Sequence, residues 1–267
     1  MGADTKSLRL RIKSVDSTLH LTKAMGLVAS SKIRRAGDAM QKARAYASAV
    51  KAAVAPLASG ADAANSPYLR TDGDRTVLIV IAGDRGLCGG YNANVFRLAR
   101  QFPDARILPI GKRAFERFGG TLYSSETMTP AAGLSLAQEL CDGFVKEEFD
   151  RLGIIGTRYV SMMTQEADIS WVLPLQKPEN APRSGMIFEP DAMTILNAAL
   201  PEYVAGLLMA AVRESFASEV AARRMAMDSA GKNAQAMIDE LQLAYNRARQ
   251  GAITQEITEI VAGSGQG

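Results

Sequence analysis

Apolar and polar positions follow one another along the first fifty residues in steps of four and three. Leu8, Ile12, Val15, Leu19, Thr22, Gly26, Ala29, Ile33, Ala36, Met40, Ala43, Ala47, Val50 and Val54 hold the step, and only Thr22 and Gly26 fall outside the apolar set. A seven-residue period sustained this long is a coiled-coil seam, because it keeps one stripe facing a partner while the helix underwinds into a left-handed supercoil. At about 1.5 Å per residue the predicted helix runs roughly 70 Å, more than a compact domain of this size buries. It therefore calls for a partner of similar length. The plainer alternative is a long amphipathic helix on an ordinary core; helices beyond about 25 residues argue against it.

After Val54 the pattern changes. Pro56–Asp74 carries Ser59, Gly60, Asn65, Pro67 and Gly73 and reads as a linker. Thr76–Ala82 is a continuous β-branched and aliphatic run, the mark of a strand buried on both faces. A glycine-rich loop, 83–90, follows. Asn92–Gln101 has helical spacing, Arg106–Ile110 reads as a strand, Lys112–Phe118 as a helix stopped by Gly119 and Gly120, and Leu122–Tyr123 as a short strand. The next predicted helix is Leu134–Leu152, with Leu136, Leu140, Phe144 and Phe149 inward, then a β run at Arg158–Met163. Alternation of strand and helix predicts a parallel sheet covered by helices. Trp171–Leu175 and Met186–Phe188 read as extended, on either side of an exposed loop at Lys177–Pro182. Asp191 is placed to cap a short helix through Leu200, and Pro201 to open the next.

From Glu202 to Val261 no further proline appears, and a second long helix is predicted. Ala234, Ile238, Leu241, Tyr245, Ala248 and Ala252 keep the four-and-three step, with Arg223, Arg224 and Gly231 interrupting it upstream. The tail 263–267 is expected to fray. Two alanine-lined helices at opposite ends of the chain are most simply satisfied by each other. The predicted fold class is α/β: a long antiparallel, left-handed coiled coil of the N- and C-terminal helices with a central Rossmann-like α/β domain. The predicted division is 1–56 for the N-terminal coiled-coil helix, 57–75 for a linker, 76–200 for the central domain and 201–267 for the C-terminal helix and tip.

Composition alters this picture in one respect. The 267 residues are 47% hydrophobic and 6% aromatic, a helix-rich globular balance. The longest apolar runs, Val77–Ala82 and Val204–Val212, are too short to cross a bilayer, and residues 1–7 carry no apolar signal core. Cys88 and Cys141 form neither metal spacing nor a disulfide framework, so a cytoplasmic setting and no bound metal are expected. The net charge of +3 hides an asymmetry: residues 1–54 hold eleven Lys and Arg against Asp4, Asp16 and Asp38. Such a basic helix suits an acidic protein surface, nucleic acid, or water alone.

The glycine loop is where an α/β fold would bind a phosphate. Glycines at 83, 86, 89 and 90 do not make G-x-G-x-x-G, and no Lys-Ser/Thr pair follows as a P-loop requires. Cys88 as a nucleophile would need a base, and the sole histidine, His20, lies on the long helix. The simpler reading is that these glycines let the chain turn tightly and approach another surface.

Several strings resemble the gamma subunit of bacterial F-type ATP synthase. They are the stretches 8–15 and 21–35, Gly83-Asp-Arg-Gly-Leu-Cys-Gly-Gly-Tyr-Asn, Phe188-Glu-Pro, 218–227 and, most specific, 239–261 (Asp-Glu-Leu-Gln-Leu-Ala-Tyr-Asn-Arg-Ala-Arg-Gln through Ile-Val). Residues 151–185 match least. The resemblance implies a central rotor shaft: one copy per complex, turning inside a ring of alpha and beta subunits, with its α/β domain against the epsilon subunit and the c-subunit ring. It implies no catalytic residue, no cofactor, no nucleic acid, and a peripheral place on the cytoplasmic face of the plasma membrane. It also implies rotor–stator contacts at Arg249, Gln250, Thr254 and Glu256 on the last helix, at Cys88 in the glycine loop, and at Lys23 and Met25 on the neck of the first. From Ala252 to Ala262 the only charges are Glu256 and Glu259, as a tip held in an apolar sleeve needs. The competing classes are a basic coiled-coil scaffold binding nucleic acid and an α/β nucleotide-binding enzyme.

Overall fold

A computed structural model describes residues 2–60, 65–176 and 188–264. The elements are α1 (Gly2–Ala58), β1 (Thr76–Ile81), α2 (Tyr91–Ala99), β2 (Arg106–Ile110), α3 (Lys112–Phe118), α4 (Pro130–Val145), β3 (Arg151–Tyr159), β4 (Gln165–Leu173) and α5 (Ala192–Ser264). The chain divides into two compact units, Met1–Ala29 with Arg224–Gly267, and Ser30–Arg223.

In the first unit the two long helices pair through the predicted seam. Leu19 clusters with Ala234 and Ile238, and Val15 packs against them. Gly231 lies over Thr22, and Gly26 lies against Met227. Each step down α1 is therefore matched by a step up α5, and the pair is antiparallel. Leu8, Ile12 and Val15 are half-buried and Leu19, Thr22, Gly26 and Ala29 buried, so every seam position of this segment faces the partner. On α5, Ala234, Ile238, Leu241, Tyr245, Ala248 and Ala252 do the same. Gly231 does not interrupt this seam but belongs to it. Its missing side chain admits Thr22, whose hydroxyl turns back to the Leu19 carbonyl at 2.9 Å.

The second unit holds a four-stranded sheet in the order β2-β1-β3-β4. β1 pairs in parallel with β2 and with β3, as the alternation predicts, but β4 pairs antiparallel with β3. The wholly parallel sheet is thus corrected: Val160, Ser161 and Thr164 close a tight turn that returns the chain as a hairpin at the edge. β1 is as buried as its sequence demands, with Leu78 to Ala82 fully enclosed. Leu78, Val80 and Ile155 meet Val95 and Ala99 of α2 on one face. Val77, Ile79 and Ile81 meet α4 and α5 on the other, around Leu136, Leu140, Phe144, Leu196, Leu200, Val204 and Leu208. Burying each such aliphatic side chain contributes about 2 kcal/mol.

Several boundaries differ from expectation. α1 passes Pro56, since Leu57 and Ala58 are buried in the core, and that packing offsets the hydrogen bond to the carbonyl four residues back that proline cannot donate. Within the segment read as a linker, Pro67–Leu69 is a 3-10 turn that buries Tyr68; residues 61–64 lie outside the described residues. The helix expected at 134–152 starts earlier, at Pro130 behind a Thr129 cap, and stops at Val145. Glu147 then takes a φ of 60°, and Phe149 reaches the core from a turn rather than a helix. The strand expected from Arg158 begins at Arg151, because Leu152–Ile155 is an interior strand whose apolar run also suits a helix end. Leu122–Tyr123 reduces to one bridge between Tyr123 and Ile110. Asp191 does cap its helix, accepting from the Thr194 amide at 2.8 Å. That helix runs through Pro201 without a break, held by the buried file Leu196, Leu200, Val204, Leu208 and Val212.

α5 also contains an 18-residue window of mean hydropathy 1.6, long and apolar enough to pass a membrane-span test. A core helix of a globular protein meets the same criterion, and the part of α5 that carries Leu196, Leu200, Val204, Leu208 and Val212 packs into such a core. The loop at 177–182, the extended reading of 186 and 187 and the fraying of 265–267 concern residues outside those described.

Candidate functional site

Open α/β sheets bind ligands beyond the carboxyl ends of their strands, where successive connections leave on opposite sides. Here that point lies between β1 and β3, and the chain's own α5 occupies it. The Ser215 hydroxyl accepts from the Thr157 amide at 2.9 Å, and Ser218 donates to the Thr157 carbonyl at 3.2 Å. Tyr91 donates from α2 to the Ser215 carbonyl at 3.0 Å. A Cβ on Gly156 would lie 2.8 Å from the Ser215 hydroxyl, and one on Gly83 would lie 2.8 Å from the Glu219 carboxyl carbon. Glycine at these two positions is what lets α5 sit so close.

The loop 83–90 is tied down from within. The Gly83 amide donates to Asn92 at 2.9 Å, and the Asn92 amide group donates to the Cys88 sulfur at 3.4 Å. Arg223 pairs with Glu219 and donates to the Gly86 carbonyl at 3.2 Å. Glu219 was not singled out from sequence, and Arg223 read only as an interruption of the seam. The signal was present: a Glu and an Arg four apart within the alanine-rich face of α5. Burial raises the Glu219 carboxyl above the usual range, against the attraction of Arg223.

Asp84 carries the loop's second set of bonds. Its carboxylate accepts from the Lys112 amide at 2.9 Å, the Ser124 hydroxyl at 2.6 Å and the Glu126 amide at 3.1 Å. Burial opposes its charge, but the Ser124 hydroxyl and these amides outweigh burial and lower its pKa. The carboxylate thus takes the amide at the start of α3 and those of segment 125–126 for the chain's own use.

The named contact residues fall in different places. Cys88 is 2% exposed, and burial first, then the charge of Glu219, raises its thiol pKa. The exposed side chains of its loop are Arg85 and Leu87, beside the exposed Gly89 and Gly90. Lys23 is exposed and Met25 half-buried, flanking Thr22 and Gly26 of the seam. A Cβ on Gly26 would come within 2.9 Å of the Arg224 guanidinium, so the flaw in the repeat makes room for that side chain. Arg249, Gln250, Thr254 and Glu256 are exposed together at the far part of α5. The Thr254 hydroxyl donates to the Gln250 carbonyl at 2.9 Å. Beyond Ala252 the seam step continues as Gln255 and Glu259, both polar. The apolar stripe moves to Ile253, Ile257, Ile260 and Val261, at i, i+4, i+7 and i+8, exposed by 45 to 71%. They share one face of the helix. Among the described residues no group of three or more His, Cys, Asp or Glu is placed to hold a metal ion.

A family model described as ATP synthase matches residues 4–265. The ATP synthase gamma chain of Geotalea daltonii is 39% identical over 98% of both chains, and that of Ruminococcus albus 38% identical over the same share. Among solved structures, a chain of the Euglena gracilis mitochondrial ATP synthase (OSCP/F1/c-ring, rotational state 3) aligns with a TM-score of 0.67 at 18% identity, covering 98% of this chain and 94% of that one. One from the central stalk and c-ring of the Tetrahymena thermophila enzyme gives 0.61 at 20%, covering 79% and 99%.

Proposed function

The chain belongs to the ATP synthase gamma-chain family, and from that premise we propose how it works as the central-stalk rotor of the complex. It turns inside a ring of alpha and beta subunits while its sheet-bearing unit meets the epsilon subunit and the c-subunit ring. One copy serves each complex, peripheral on the cytoplasmic face of the membrane. It performs no chemistry itself. A single asymmetric helix pair inside a threefold ring contacts each catalytic subunit differently, and only such differential contact can bias one site open and another closed. Rotation by the ion-driven membrane ring passes that bias from site to site, and ATP hydrolysis runs the cycle backwards.

The observation that carries this reading is the switch of faces past Ala252. A helix that leaves its seam polar and presents four aliphatic side chains on another face is shaped for a partner outside the chain. Arg249, Gln250, Thr254 and Glu256 are exposed on this part of the helix and form the polar contacts to beta in this reading. Lys23 and Met25 serve on the neck. Cys88 acts through its loop, presenting Arg85 and Leu87, rather than through its thiol. The basic first helix meets acidic loops of the ring, not nucleic acid. The self-filled switch point supports a chain that holds no nucleotide.

The test is reconstitution. The isolated chain hydrolyses no ATP, and mixed with alpha and beta subunits it restores hydrolysis. Failure to assemble with them, or saturable nucleotide binding by the chain alone, contradicts the proposal.

A further inference from the structure

Beyond the rotor reading, and resting on it, we propose that two polar ties within the unit Ser30–Arg223 position both long helices against the sheet, so that torque passes between them without slip. The first tie runs through segment 124–128. Asp84, at the end of β1, clamps its Ser124 hydroxyl and Glu126 amide. The Glu126 carboxylate pairs with Lys32 of α1, while Arg213 of α5 donates to the Glu126 carbonyl at 3.4 Å and to the Met128 carbonyl at 2.8 Å. The second tie lies at the end of β3. Arg44 of α1 donates to Glu214 of α5 at 2.7 Å and to the Tyr159 carbonyl at 3.0 Å, and Glu214 accepts the Tyr159 amide at 2.9 Å.

Each tie therefore joins three parts of the unit: sheet, α1 and α5. The surrounding core does not substitute for them. Aliphatic packing is non-directional: it holds the buried file of α5 against the sheet, but it sets the angle less sharply than directional bonds do. Hydrogen bonds weaken steeply off-line, and two ties at separate strand ends fix an angle where one would leave a pivot. Lys32 and Glu126 are 38% and 30% exposed, and pairs of that exposure contribute little to stability. Their role is geometric: Asp84, Glu126, Lys32, Arg213, Arg44 and Glu214 are positioning residues.

The experiment places Asp84→Ala, Glu126→Gln and Arg44→Gln in the assembled complex in sealed membrane vesicles, well below the melting temperature. ATP hydrolysis and ions pumped per ATP are measured together. The expected result is hydrolysis near the parent rate with pumped ions per ATP lowered about twofold or more, the scale on which single members of a coupling network act. Glu126→Gln lies at a half-exposed pair, so it folds even if Asp84→Ala does not. Exchanging the charges, Lys32→Glu with Glu126→Lys, restores the ratio that either change alone lowers. Variants that melt earlier yet pump the parent number of ions per ATP overturn the inference and leave the rotor reading intact. A parent chain that does not assemble overturns the rotor reading itself.

Discussion

Gly111 shows how narrow the tolerances are beneath the glycine loop. It holds a φ of 93°, and a Cβ there would lie 1.9 Å from the Ala82 carbonyl oxygen. Gly111→Ala is expected to lower unfolding stability by about 2 kcal/mol or more, read by denaturant titration, because both the dihedral and the contact oppose it. Asp84 gives a pH signature. Its folded pKa is depressed, so its stabilisation is complete above the ordinary carboxylate range and is lost as pH falls through the depressed value. Asp84→Asn should flatten the acid limb of melting temperature against pH; an unaltered limb would remove Asp84 from the account. The loop's glycines announced a close approach in the sequence alone. The approach of Glu219 to Gly83 was not announced: its spacing of four from Arg223 signals an ion pair, but not that the pair is buried against this loop.

At the scale of elements, the seam was the most legible feature. A strict step of four and three admits one stripe, and every seam position from Leu8 to Ala29 is half-buried or buried. Leu19→Ala should cost about 2 kcal/mol or more, since Leu19 is enclosed against Ala234 and Ile238. Ala248→Glu should lower the melting temperature of the paired helices, whereas Glu259→Ala, on the same file beyond the seam, should leave it unchanged. Equal effects of the two would contradict the end of the seam at Ala252. The strands were legible where burial is complete, as in β1. They were not where apolar runs are ambiguous: Leu152–Ile155 can close a helix or open a strand, and only pairing with β1 and β4 decides. Pro201 misled for a related reason. Proline marks a first turn locally, but a file of buried leucines on both sides carries a helix through it.

For the whole molecule, the family supplies the role and the last helical turns supply the physical reason. The aliphatic stripe past Ala252 has no partner among the described residues, and the sequence showed its low charge but not that its apolar face departs from the seam. Replacing Ile253, Ile257 and Ile260 by serine should leave the melting of the isolated chain nearly unchanged while weakening hydrolysis in the assembled complex. A loss confined to the isolated chain would place the stripe in its own fold instead. The central claim is rotation, and it can be watched. A probe fixed through a cysteine introduced at Met163, 78% exposed at the β3–β4 turn, reports the chain's motion in a surface-held complex of alpha and beta subunits. With ATP added, the account predicts continuous turning in one direction; a complex that hydrolyses ATP while the probe stays at a fixed angle would contradict it.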